Sequence, residues 1–85
     1  MFKKYVWFIG ETKNHYDENG NVISSKMIPH DFSLNKKAVK KSLRFNAEIF
    51  KRAGCEVSIE KDGSLVVDHP NDIVSYLHLC KRELI

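Results

Sequence analysis

Long apolar runs are missing from this 85-residue sequence. The longest, YVWFI at residues 5 to 9, is too short to span a bilayer or to form the core of a secretory leader. Two cysteines, two prolines and four glycines are too few for a disulfide-dense scaffold, a cysteine-rich zinc module or a low-complexity linker. Acidic residues are absent from 32 to 47, and alanine is scarce. What remains is an ordinary globular composition, 29% charged and 11% aromatic, of a length that fits one modest core. Residues 1 to 85 are therefore expected to form a single domain. With nothing in the sequence to suggest export, Cys55 and Cys80 read as core-facing free thiols, and the expected location is the cytoplasm of a bacterial or phage-infected cell.

The dominant feature is the stretch LNKKAVKKSLRFNAEIFKRA, residues 34 to 53. At about 100° per residue, Ala38, Val39, Leu43, Phe45, Ile49, Phe50 and Ala53 fall on one side of a helix. Lys36, Lys37, Lys40, Lys41, Arg44, Lys51 and Arg52 fall on the other, interrupted only by Glu48. Asn35 (or Ser33) suits the N-cap and Gly54 the C′ position. Lys36 and Lys37 occupy the first turn, where cations oppose the macrodipole, as if an anion belonged there. Residues 36 to 52 carry +6 within a total of +3, so the rest of the chain carries −3. Charge is segregated along the molecule.

Around this helix the pattern predicts strands at residues 3 to 10, 21 to 28, 55 to 60 and 64 to 68. Asn19-Gly20 and Asp62-Gly63 supply the turns, the second as a two-residue turn. Pro29 closes the second strand. Pro70 opens a final helix, because Ile73, Tyr76, Leu77, Cys80 and Leu84 recur at helical spacing. The expected fold is α+β, a ββαββα two-layer sandwich with an antiparallel sheet and two helices on one face. The turns ENGNV and KDGSL hint at an internal repeat of hairpin plus helix. The first strand is apolar on both faces, which predicts a contact surface there or near Leu79, for a partner or a second copy of the chain.

No nucleophile stands beside a recognisable base. His15, His30, His69 and His78 are scattered, and no metal or cofactor motif is present. Phe8-Ile9-Gly10 resembles the second half of the GIY-YIG nuclease signature, but the sequence lacks the preceding Gly-Ile-Tyr strand. The expected activity is binding, without catalysis, cofactor, metal or membrane. The basic residues named above are the candidate nucleic-acid contacts, with Tyr5, Trp7 and Tyr16 as candidate stacking platforms. The partner expected is RNA or another nucleic acid. The alternative is a protein-binding inhibitor or adaptor that uses an apolar sheet face. The compact form, the lysine- and asparagine-rich composition and the lone basic helix look like the small proteins that tailed phages direct against host factors. They are similar in general style to phage-encoded antitoxins that neutralise toxin ribonucleases. That resemblance implies an RNA or a host ribonuclease as target.

Overall fold

Each hairpin is closed by a three-residue loop whose last residue is left-handed, the arrangement in which a type I turn ends in a G1 bulge. The computed structural model describes residues 3–84. Between β1 (Lys4–Tyr16) and β2 (Val22–Ser33), the Asp17 N–H donates to Asn21 O at 2.9 Å, and Gly20 has φ 81°. Between β3 (Glu56–Ile59) and β4 (Leu65–His69), the Glu60 N–H donates to Ser64 O at 2.8 Å, and Gly63 has φ 90°. From β4 to β5 (Ile73–Leu84) the loop is Pro70-Asn71-Asp72, with Asp72 at φ 58°. The likeness of ENGNV to KDGSL is thus shared turn chemistry. The Asp62-Gly63 turn stands where predicted, one residue longer.

The strands form one antiparallel sheet in the order β2-β1-β5-β4-β3, crossed on one face by α1 (Lys36–Arg52), the one helix among the described residues. The α+β class and the antiparallel sheet are as expected, but the chain order is ββαβββ. The predicted last helix is instead β5, a central strand paired to β1 and β4. Two ambiguities explain the difference. Pro70 has the φ that suits both a helix start and the second position of a turn. A strand apolar on both faces loses its period of two, and its apolar residues then also match a helical template. β1 likewise runs past residue 10 through the polar stretch ETKNHY, whose backbone is bonded on both sides. Pro29 lies inside β2, as an edge strand permits. Nearby, Asp31 (φ 57°) and Phe32 oppose the single residue Phe8 in a bulge.

α1 begins and ends as its sequence dictates. Asn35 Oδ1 accepts the Lys37 N–H at 2.9 Å. Gly54, at φ 89°, completes a Schellman motif in which the Cys55 N–H donates to Phe50 O and the Gly54 N–H to Lys51 O. Its buried stripe is Val39, Leu43 and Ala47, packed on Ile9, Leu65, Val67 and Leu77, with Trp7, Phe50, Cys55, Val57 and Leu79 at the margin. The helix is rolled relative to the sequence expectation. Phe45 and Ile49 are 66% and 46% exposed, while Ala47, in the midst of polar neighbours, is buried. A polar bridge helps fix this roll: Asn46 Nδ2 donates to Asp31 Oδ2 in the β2 bulge, 3.2 Å away.

Candidate nucleic-acid interface

Register and alternation divide the sheet into two faces. Tyr5, Trp7, Ile9 and Glu11 of β1 share the helix face with Leu77, Leu79 and Lys81 of β5. The helix covers the middle of this face, leaving Tyr5 and Trp7 half-buried at the end where α1 begins. There Lys36 Nζ stands 5.0 Å from the Trp7 ring centroid. Lys81 Nζ lies 4.6 Å from Tyr5 and 5.6 Å from Trp7. The two rings are tilted at 54° with centroids 6.4 Å apart. Such contacts are attractive through the ring quadrupole. They gather two aromatic faces and two ammonium groups at the head of the basic helix. Among the described residues, neither Lys36 nor Lys81 has a carboxylate partner.

From Lys36 the cations continue along α1. Lys36, Lys40, Arg44 and Lys51 lie within an arc of about 80° on the side towards the β3–β4 hairpin, and all are exposed. Lys51 Nζ is 3.7 Å from Glu48 Oε1, a weak exposed pair. Lys37, Lys41 and Arg52 lie further round, above the helix and also exposed. The structure therefore brings Tyr5 and Trp7 together with Lys36 but separates Tyr16 from them. Tyr16 lies on the opposite face at the far end of the sheet, hydrogen-bonded to Tyr76, whose titration is pushed upward by that bond. Lys81 was missed because residues 73 to 84 read as helical. Strand parity, counted from Leu77, is the signal that would have placed it beside Trp7.

Each of three histidines has a hydrogen-bond partner from another segment. His30 Nε2 meets Glu11 Oε1, a largely buried carboxylate, at 3.0 Å, and His30 Nδ1 meets Asp31 Oδ2 at 3.4 Å. His69 Nε2 meets the fully buried Ser75 Oγ at 2.9 Å, and its Nδ1 meets Cys55 Sγ at 3.5 Å. His78 Nδ1 lies 3.2 Å from Ser64 Oγ. These contacts satisfy polar groups that would otherwise be costly to bury. Cys55 lies on the helix face and Cys80 on the other, so both remain free thiols.

Among the described residues, no helix covers the second face of the sheet. Phe8 stacks on Phe32 with centroids 5.1 Å apart, beside Cys80 and the 65% exposed Met27. Among the described residues no helix is long and apolar enough to cross a membrane. No family model, curated protein or solved structure matches this chain.

Proposed function

We propose that this protein binds single-stranded or locally unpaired RNA, acting by binding and not by catalysis. The carrying observation is the Tyr5-Trp7 pair held between Lys36 and Lys81 at the head of the lysine row. An unpaired base has a π-face free to stack on Trp7 or Tyr5, and the displaced ammonium groups can then turn to the flanking phosphates. Duplex bases are already stacked and would leave the rings idle. The resemblance to phage-encoded antitoxins extends the proposal to its setting, antagonism of a host toxin ribonuclease or defence factor.

A second reading rests on the open sheet face, where the Phe8-Phe32 stack and Met27 offer apolar surface to a protein partner or a second copy of the chain. Purification from expressing cells separates the two readings. Co-purifying RNA, seen by ultraviolet absorbance and mass spectrometry, supports the first; a stoichiometric protein without nucleic acid supports the second. Trp7→Ala should weaken binding of single-stranded RNA by about 1–3 kcal/mol. Unchanged affinity in that variant would remove the stacking argument.

A further inference from the structure

β1 is apolar on both faces, yet α1 covers only one of them. On the open face Val6 and Phe8 of β1 are joined by Phe32 and Met27 of β2, 59% and 65% exposed. A strand of this kind belongs in a sheet covered on both sides. The molecule also shows more surface than its mass requires. A compact monomer of 9.9 kDa exposes about 5,200 Å², and this one exposes 6465 Å². Its radius of gyration is 14.3 Å, against about 12 Å for a compact chain of this length. The excess of roughly 1,200 Å² is more than the ~800 Å² that one partner contributes to an interface of standard size.

Charge on the open face is segregated by end. Lys4 and Arg82 stand at one end, Glu56 and Asp68 at the other, all exposed and, among the described residues, without an ion-pair partner. Glu56 and Asp68 are direct cross-strand neighbours, a like-charged pair that lacks a cation. Arg82 is level with Val6, and Asp68, through Val74, is level with Asn14, about 26 Å further along β1. Midway between these levels lies the Gly10–His78 pair.

Resting on the second reading above, we infer that the occupant of the open face is a second copy of this chain, related by a twofold axis that crosses the strands at Gly10. Rotation about that axis reverses the strands, so Arg82 of each copy reaches the acidic end of the other, beside Asp68. Phe32 lies level with Phe8, and Met27 with Thr12, at equal distances on either side of Gly10. The same rotation therefore sets Phe32 over Met27 of the second copy, an aromatic–thioether contact. Gly10, without a side chain at the axis, lets the sheets approach. The contact is isologous and closes as a dimer, in layers of helix, sheet, sheet and helix. Both lysine rows stay on the outer surfaces.

The test is sedimentation and light scattering of protein freed of nucleic acid and returned to low salt, which should give a mass near twice 9.9 kDa. Met27→Lys should abolish the dimer at concentrations where the parent forms it. Met27 is exposed, so the fold should persist, which circular dichroism checks. Arg82→Glu sets like charges against Asp68 of the other copy and should raise the dissociation constant by about tenfold or more. Adding Asp68→Arg should recover most of that loss. Within one chain the two positions are too far apart to touch, so recovery can come only across the interface. A monomer at every concentration overturns the inference and leaves the second reading to a foreign protein. A dimer indifferent to Met27→Lys overturns this face as the contact, and a double variant as weak as Arg82→Glu overturns the reversed orientation. Failure of RNA binding would leave these masses unchanged, because α1 and Trp7 lie on the other face.

Discussion

An ideal Cβ on Gly10 would stand 2.8 Å from Cys80 Sγ and 3.5 Å from Met27 Cε, so glycine is required there by space and not by a special backbone angle. Gly10→Ala should cost about 1–3 kcal/mol through overpacking, and adding Cys80→Ala should recover most of the loss in a urea melt. An unrecovered loss would place the strain elsewhere. Tyr76 offers a second check at this scale. The hydrogen bond that the neutral Tyr76 hydroxyl donates to Tyr16, then burial, push its titration above the ordinary value of 10.0, so stability linked to neutral Tyr76 is full below that value and is lost as pH rises through the folded-state pKa. Tyr16→Phe should bring the Tyr76 transition down in a tyrosinate absorbance titration; an unmoved transition would discount the bond. At the hairpin tips the signs reverse. Backbone N–H groups, chiefly of Asn21 and Ser64, hold the Asp17 and Asp62 carboxyls below 3.8. Their contribution is present above the unfolded-state value and is lost as pH falls through the depressed one.

At the scale of elements, the roll of α1 is the structural claim most exposed to test. Leu43→Ala should cost about 2–5 kcal/mol, because Leu43 is 3% exposed and its loss leaves a cavity. Ile49→Ala should cost less than about 1 kcal/mol, within the range of surface substitutions that break no special contact. Equal losses in a thermal melt would mean that the helix faces the other way. The helix, its Asn35 and Gly54 caps and the glycine turns were legible in the sequence, because each depends on neighbours within one or two turns of chain. Its roll was not, since Asn46 finds Asp31 across the sheet and a wheel drawn from hydrophobicity alone averages over such bonds. Of the candidate site, the exposed lysine row on α1 and the strand that carries Tyr5 and Trp7 were legible. The presence of Lys81 was not, because β5 is apolar on both faces and lacked the alternation that marks a strand. Nor was the cleft between α1 and the β3–β4 hairpin, which joins segments separated in sequence.

Over the whole molecule, 52 × 25 × 19 Å in extent, charge is divided between the ends. Tyr5, Trp7, Lys36 and Lys81 mark one end; Asp17, Glu18 and Asp72 cluster at the other, where the Tyr16 N–H donates to Asp72 O at 2.9 Å. Such a dipolar chain should approach a polyanion basic end first. Replacing Lys36, Lys40, Arg44 and Lys51 together by Gln should leave the fold intact, since all four side chains are exposed. Trp7 is the sole tryptophan, so its fluorescence reports events at the head of the row without a label. The most direct measurement is the salt dependence of Trp7 quenching by single-stranded RNA, in the parent and in the quadruple variant. With each neutralised phosphate adding about 0.7 to the slope, the account predicts steep salt-dependent quenching in the parent, flattened by about three units in the variant if all four contact phosphate. Equal slopes in the two proteins, or no quenching by RNA at any salt concentration, would contradict it.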